Sequence, residues 1–134
     1  MDIKMIQFQS HGDERGELVA LEQNREIPFE IRRVYYMYGT NPSVERGHHA
    51  HKNLKQVLIC VNGSCKIRLF DGYEKAEVVL DNPKEGLLVE SFMWREMYDF
   101  SDQAVLLVLA SEYYDESDYV RDFQEYQDMI RAMK

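Results

Sequence analysis

Three histidines lie within four residues in segment 46–52, which reads Arg-Gly-His-His-Ala-His-Lys. On a β-strand, side chains two residues apart point to the same side, so His49 and His51 share one face. An imidazole gains and loses a proton near neutral pH. The spacing therefore predicts a pair of groups suited to acid–base chemistry on a ligand, and the basic residues nearby favour an anionic one.

The elements that must position this pair are predicted to be mostly β-strands. The strand at 56–61 leads into Asn62-Gly63, a strong hairpin signal. Runs rich in β-branched and aromatic residues predict strands at 18–21, 31–38, 56–61, 65–70, 76–80, 87–89 and 104–110. After Asp115, apolar residues recur every three to four positions from Tyr119 to Met133, which predicts an amphipathic helix. The pattern is typical of a sandwich, jelly roll or small barrel.

Length and charge exclude several classes of protein. The chain has 134 residues, enough for one domain over 1–134, and 24 acidic against 16 basic residues give a net charge of −8 that disfavours nucleic acid. Neither a signal peptide nor an apolar run of roughly 18 residues is present, so we expect a cytoplasmic protein that does not enter membranes. We expect the two cysteines, Cys60 and Cys65, to be buried as small apolar side chains.

The segment around the histidines resembles the first motif of the cupin family. In that motif a glycine precedes two histidines separated by one residue, an acidic residue follows, and a second glycine closes the hairpin. Gly47, His49, His51 and Gly63 match, whereas position 56 is Gln56. The resemblance implies an all-β cupin, a double-stranded β-helix or jelly-roll barrel. Gln56 is a poor ligand, and an arginine stands near where a later histidine is expected, so we predict no metal and no cofactor.

A closer resemblance covers nearly the whole chain. It is carried by Arg15-Gly16, Arg33 to Tyr36, Arg46 to Lys52, Gln56, Gly63-Ser64, Gly86-Leu87, Trp94 to Met97 and Tyr113 to Arg121. These segments resemble the sugar-nucleotide 3,4-ketoisomerases. The resemblance implies a metal-free enzyme, usually a homodimer, that moves the ketone of dTDP-4-oxo-6-deoxy-D-glucose from C4 to C3. Such enzymes serve the synthesis of 3-amino or 3-acetamido deoxysugars for lipopolysaccharide or S-layer glycans.

That reaction needs a base at C3, donors to an enediolate oxygen and an acid at C4. We assign His51 as the base and give His49 an orienting, proton-shuttling or oxyanion-stabilising role, although the two roles can be reversed. Arg95 is expected to bind the developing oxyanion or to steer protonation at C4, and so to influence the C4 configuration of the product. Of Tyr35 and Tyr36, strand alternation lets only one face the pocket. We assign Tyr36 to catalysis and Tyr35 to substrate binding, with the choice between their orientations left open.

The nucleotide half of that substrate carries two phosphates. Four basic residues are candidates to bind them, namely Arg15, Arg33, Arg46 and Lys52. Trp94 is expected to pack on the base or sugar, or else to fill the core. Gln56 is expected to hydrogen-bond the substrate or to brace a histidine from behind. We expect the acidic run 112–118 to be a solvent-exposed loop and helix start.

Three other functions remain open on the sequence. A sugar-nucleotide 3,5-epimerase also removes a proton next to a C4 ketone, but it would exchange the proton at C5. A cupin that binds nucleotide sugars without catalysis would exchange no sugar proton with solvent. A metal-dependent oxygenase would contain stoichiometric iron.

Overall fold

The computed structural model describes residues 1–133, so Lys134, the last residue of the predicted domain, lies outside the described part. Strands and helices follow one another along residues 1–133 as β1 (Lys4–Gln7), β2 (His11–Asp13), β3 (Gly16–Leu18), β4 (Arg33–Met37), β5 (Arg46–His51), β6 (Gln56–Asn62), β7 (Cys65–Phe70), β8 (Lys75–Leu80), β9 (Glu85–Val89), β10 (Trp94–Tyr98), β11 (Val105–Ala110), a 3₁₀ helix (Glu116–Asp118), β12 (Tyr119–Val120) and α1 (Phe123–Ala132).

Two five-stranded antiparallel sheets make up the barrel. One sheet has the strand order β1-β9-β6-β11-β4, and the other has the order β12-β5-β10-β7-β8. Their facing sides share one apolar core, to which both sheets contribute alternate residues such as Leu58, Ile67, Met97 and Val108. The prediction of an all-β jelly-roll barrel with a C-terminal helix is confirmed.

Each sheet is also covered on its outer side. Val57 and Ile59 of β6 point away from the shared core and pack on Phe8, Ile27 and Phe29. Strand β6 therefore reads as a continuous apolar run, because both of its faces are buried. On the other sheet, Tyr126 and Ile130 of α1 cover the outer face. Cys60 and Cys65 are buried and free, as predicted.

Two predicted elements differ from the structure. Residues 19–21 are not in a strand, because their apolar side chains pack as a covering segment on the first sheet. The C-terminal helix begins at Phe123, after Asp122 caps it by accepting a hydrogen bond from the Glu125 N–H. Tyr119 consequently belongs to β12, which pairs with β5, and the helical spacing assigned it wrongly. Within residues 1–133 no helix is long and apolar enough to cross a membrane.

Candidate active site

A cavity of about 480 Å³ opens between the two sheets. Strand β4 of the first sheet forms one wall, β5 and β10 of the second sheet form the opposite wall, and segment 114–121 forms a third. Its lining residues are Arg33, Tyr35, Met37, Glu45, Arg46, Gly47, His49, Met97, Tyr114, Tyr119 and Arg121. Because side chains from both sheets meet there, the barrel fold itself brings sequence-distant groups together.

A β-bulge in β5 sets the direction of His49. In the pairing with β10, Arg95 lies opposite His49 and Glu96 lies opposite Gly47, so His48 is the extra residue. Gly47 and His48 both have positive φ, 87° and 56°. A Cβ at position 47 would stand 3.0 Å from the Arg95 carbonyl oxygen, so glycine is needed there. The bulge turns His48 outward and leaves His49 on the cavity wall.

The predicted histidine pair shares one face, with ring centroids 4.7 Å apart and planes at 86°. His49 Nδ1 lies 3.0 Å from the Gly47 carbonyl oxygen, which requires the proton on Nδ1 in the neutral ring and leaves Nε2 as a free base. His51 is completely buried, and neither of its ring nitrogens has a hydrogen-bond partner. The Asp118 carboxylate lies 3.4 Å from His51 Nδ1, close enough to stabilise an imidazolium.

Burial and a nearby cation keep both histidines neutral at pH 7. Desolvation, followed by the positive charge of Arg95, lowers the pKa of His49 to about 4. The same two causes, together with His49 itself, lower the pKa of His51 to about 2. Each ring is therefore in its unprotonated form, which is the form that a base requires.

Arg95 lies behind the cavity wall and does not line the cavity, which corrects the prediction that it contacts the reacting oxygen. Its side chain is 0% exposed. Its donors are turned to protein acceptors: Nε and Nη2 donate to the Met93 carbonyl at 3.1 and 3.0 Å, and Nη1 donates to Gln56 Oε1. Burial lowers the pKa of Arg95 to about 10, so it remains a cation at neutral pH. It acts on the histidines through its charge.

Tyr35, and not Tyr36, faces the cavity. Strand alternation directs the Tyr36 ring outward, where it is 63% exposed, so the assignment of Tyr36 to catalysis is corrected. Gln56 is completely buried and donates from Nε2 to the Tyr35 hydroxyl oxygen at 2.9 Å. Gln56 therefore does not line the cavity and braces a tyrosine, where the sequence predicted contact with the substrate or a histidine.

Three arginines surround the opening, and two of them were predicted. Arg33 and Arg46 line the cavity, and Arg121 joins them. Within one chain, Arg15 does not reach this cavity, because it lies in the β2–β3 hairpin and pairs with Asp13 at 2.6 Å. Lys52 is also outside the lining, since its ammonium donates to the Ser117 carbonyl at 3.0 Å.

Trp94 lies under α1, on the outer side of the second sheet. Its ring contacts Phe123 and Tyr126, with centroids 5.1 and 5.5 Å away, and its Nε1 donates to Glu96 at 3.0 Å. Since alternate residues of β10 face opposite sides, Met97 lines the cavity while Trp94 packs in the helix-facing cluster. The assignment of Trp94 to substrate binding is therefore corrected, and the alternative that Trp94 fills the core holds.

Segment 114–121 supplies functional side chains that the sequence analysis did not assign. Tyr119 contacts both histidine rings, at 4.2 Å from His51 and 4.9 Å from His49 between centroids. Asp118 is buried and accepts hydrogen bonds from the backbone N–H groups of residues 53 and 54, at 2.9 and 3.3 Å, so this part of the acidic run is not exposed. Arg121 forms a two-point ion pair with Glu116 at 2.7 and 3.0 Å.

The residues around the histidine pair do not fit a metal ion. The amide oxygen of Gln56 already accepts from Arg95, and a buried guanidinium next to the pair repels a cation. Across residues 1–133, the three-residue cluster with suitably close ligand atoms is Glu45, His48 and Glu96, on the outer side of β5. There Glu96 is already paired with Arg68 at 2.5 Å.

Comparisons with known proteins agree on one family. A family model described as FdtA, WxcM-like, C-terminal, matches residues 1–131. A TDP-4-oxo-6-deoxy-alpha-D-glucose-3,4-oxoisomerase of Aneurinibacillus thermoaerophilus is 50% identical over 130 residues, which are 97% of this chain and 94% of the relative.

Solved structures agree with this assignment. A 3,4-ketoisomerase from Helicobacter canadensis is 50% identical with a TM-score of 0.95 and covers 98% of both chains. The 3,4-ketoisomerase QdtA from Thermoanaerobacterium thermosaccharolyticum, crystallised as a histidine-to-asparagine variant with TDP-4-keto-6-deoxyglucose, is 45% identical with a TM-score of 0.95, over 97% of this chain and 94% of that one. The fold, the cavity and these relatives together show that the chain belongs to the FdtA (WxcM-like, C-terminal) family of 3,4-ketoisomerases.

Proposed function

We propose that this protein converts dTDP-4-oxo-6-deoxy-D-glucose into a dTDP-3-oxo-6-deoxyhexose without a metal ion. The observation that carries the proposal is the convergence of His49, Tyr35 and three arginines on one cavity, with the buried His51 in contact with His49. The 4-oxo sugar in the names of the relatives supports the substrate. To test this, the protein is incubated with substrate labelled with ¹³C at C3 and C4. A ketone signal that moves from C4 to C3 is expected, and a ketone that stays at C4 would refute the proposal.

The residues supply each proton transfer of this reaction. Of the two histidines, His49 lines the cavity and His51 lies in contact with it behind the wall, so a base at His51 requires the sugar to reach past His49. On the proposed assignment His51, with Asp118 beside it to stabilise the imidazolium, takes the proton from C3, and the electron pair of that C–H bond forms a C3–C4 double bond. The charge that develops on O4 is stabilised by a hydrogen bond from Tyr35. Transfer of a proton to O4, return of a proton to C4, loss of the O3 proton and re-formation of a carbonyl at C3 complete the isomerisation. His49, which lines the cavity and whose Nε2 has no hydrogen-bond partner, carries protons to and from the sugar.

Arg33 is proposed to bind the diphosphate, and Arg46 and Arg121 to flank it. Nε and Nη2 of Arg33 are buried without a hydrogen-bond partner, which a phosphate would satisfy. The guanidinium is held over the Tyr35 and Tyr114 rings, 5.1 and 5.5 Å from their centroids. This support holds the guanidinium in a fixed direction at the cavity wall.

Replacing Arg33 with methionine is expected to weaken dTDP binding by about 10- to 100-fold, because charge-assisted hydrogen bonds contribute roughly 1.5–3 kcal/mol. Isothermal titration calorimetry with dTDP measures the effect. Arg25→Met is the matched control, since Arg25 is exposed and pairs with Glu22 away from the cavity. Equal dTDP affinities for the two variants would contradict the assignment.

The neutral state of the histidines predicts the pH dependence of the reaction. Because kcat/KM reports the free enzyme, it should stay level as pH falls from 8 and decline only as the pKa of His49, about 4, is approached. Protonation of His49 at low pH removes the group that carries protons to and from the sugar, so kcat/KM falls there. His51, whose pKa is lowered further to about 2, stays unprotonated as the base over this range. A pH–rate profile measures this, and an acid limb centred on the ordinary histidine pKa of about 6.5 would contradict it.

A homodimer and a cytoplasmic location complete the proposal. The outer face of the edge strand β4 and its continuation exposes three large apolar side chains, Val34, Tyr36 and Tyr38. A second copy of this chain would bury them, and the opposite face of the same strand lines the cavity. Sedimentation at micromolar concentration is expected to give a dimer, and a monomer would refute it. Two free buried thiols and a nucleotide-sugar substrate support the cytoplasm.

A further inference from the structure

A buried row of three side chains links the cavity to the interior of the barrel. Tyr35 lines the cavity, Gln56 lies behind it, and Arg95 lies behind Gln56. Gln56 and Arg95 are both 0% exposed. Neither lines the cavity, so their hydrogen bonds can reach a bound sugar only through Tyr35.

Arg95 fixes the orientation of the Gln56 amide. A guanidinium has donors and no acceptor, so the atom of Gln56 that meets Nη1 must be the amide oxygen. The remaining acceptor of Arg95 is the Met93 carbonyl, and no carboxylate within residues 1–133 forms an ion pair with it. A flipped amide would set N–H groups against N–H groups in a buried site. The flipped orientation is therefore excluded.

The fixed amide in turn directs the proton of Tyr35. Gln56 Nε2 donates to the Tyr35 hydroxyl oxygen at 2.9 Å, so the phenol accepts on its buried side and cannot donate there. Its one proton must point elsewhere, and the ring lines the cavity. We propose that Gln56 and Arg95 are positioning residues that aim the Tyr35 hydroxyl proton into the cavity, toward the sugar oxygen that becomes the enediolate. This inference rests on the proposed isomerase function and deepens it.

The protonation state of the phenol agrees with this role. Burial raises the pKa of Tyr35 above its ordinary value of 10.0, while Arg95 and Gln56 oppose that rise. The hydroxyl is thus protonated at pH 7, and both interior neighbours favour the negative charge that its oxygen gains when it donates strongly.

The row also accounts for an amide at position 56. A glutamate there would pair with Arg95 and would accept a hydrogen bond from Tyr35, because a carboxylate has no donor. The Tyr35 proton would then turn away from the cavity. Gln56→Glu therefore reverses the direction of the hydrogen bond between residues 56 and 35, while Arg95 gains a counter-charge in place of the amide oxygen. Because the buried contacts are kept, a loss of activity in this variant reports the direction of the Tyr35 proton and not a loss of structure.

The experiment compares the unchanged protein with Gln56→Glu, Tyr35→Phe and the double variant. Gln56→Glu is expected to keep its Tm and its dTDP affinity, to leave KM nearly unchanged, and to lower kcat at least about tenfold. In the Tyr35→Phe background it should cause no further loss, because no proton remains to be turned. Gln9→Glu is the control for one added negative charge, since Gln9 is exposed.

With the Gln56→Glu variants, two results would overturn the proposal: an unchanged kcat for Gln56→Glu, or an equal loss from Gln56→Glu with and without the Tyr35 hydroxyl. The second would mean that the new charge acts on the histidines instead. Arg95→Lys, which keeps a cationic donor to Gln56, should retain far more kcat than Arg95→Met, and equal losses would also overturn it.

A spectroscopic measurement covers the case in which Gln56→Glu does not fold. In a ¹H–¹⁵N spectrum of side-chain amides, the Gln56 signal of the unchanged protein should shift on Tyr35→Phe, because its acceptor is lost. An unmoved Gln56 signal would overturn the hydrogen-bond direction. This readout needs no turnover, so a protein that fails to isomerise the sugar refutes the proposed function without deciding the direction of the Tyr35 proton.

Discussion

Replacing His51 with asparagine is expected to lower kcat by at least about 100-fold, since a positioned general base contributes 10²–10⁴-fold. Asparagine fills similar space but cannot take the C3 proton. The neighbouring Asp118 carboxylate, 3.4 Å from His51 Nδ1, would then have no imidazolium to stabilise. Turnover by NMR measures the loss, while Tm and dTDP affinity should stay close to those of the unchanged protein.

His48→Asn is the matched control for this variant. His48 belongs to the same strand but points outward, between Glu45 and Glu96 at 3.2 Å each. Its φ of 56° is one that asparagine adopts readily, so the bulge is preserved. We expect kcat near that of the unchanged protein. A His51→Asn enzyme as active as the His48→Asn enzyme would remove His51 from the mechanism.

Replacing Tyr35 with phenylalanine is expected to lower kcat by about 100-fold, because the donor to the enediolate oxygen is lost. It also leaves the Gln56 N–H group without its acceptor in a buried site, which costs about 1–3 kcal/mol of the free energy of unfolding and lowers Tm by several degrees. Steady-state kinetics and thermal unfolding measure the two effects separately.

Tyr36→Phe provides the comparison, because Tyr36 is the neighbour in sequence and lies on the exposed side of the same strand. Both its kcat and its Tm should match those of the unchanged protein. If Tyr36→Phe lost activity and Tyr35→Phe did not, the orientation of β4 relative to the cavity would be wrong.

The alternation of side chains along strands was the most reliable signal in the sequence. It placed His49 and His51 on one face, and it required one of Tyr35 and Tyr36 to face outward. It could not say which, because the facing side depends on how β4 pairs with β11, and that pairing joins residues about 70 positions apart. For the same reason the sequence could not say which side of β10 each residue faces. Trp94 packs under the helix, whereas Arg95 points to the inner side of the strand without lining the cavity.

Other parts of the site depend on contacts that leave little local trace. Segment 114–121 packs on the histidines through a two-residue strand, β12, that is too short to produce a period. The apolar spacing from Tyr119 onward suits a helix, so Asp118 and Tyr119 were not recognised as neighbours of His51. Among the basic residues, Arg33 and Arg46 lie at the cavity while Lys52 is held by a backbone carbonyl. Residue type alone does not tell which basic side chain lines the cavity and which binds elsewhere on the protein.

This barrel is proposed to move a ketone from C4 to C3 through its own side chains. The most direct test is a proton NMR time course of metal-stripped protein with dTDP-4-oxo-6-deoxyglucose in deuterated buffer. We expect a 3-oxo sugar with deuterium at C4, formed at the same rate with and without chelator. The C4 coupling constant then gives its configuration. Deuterium at C5 would indicate a 3,5-epimerase, exchange only with added iron would indicate a metalloenzyme, and an unchanged spectrum with tight binding would indicate a binding protein. Each of these results would contradict metal-free ketoisomerisation by this protein.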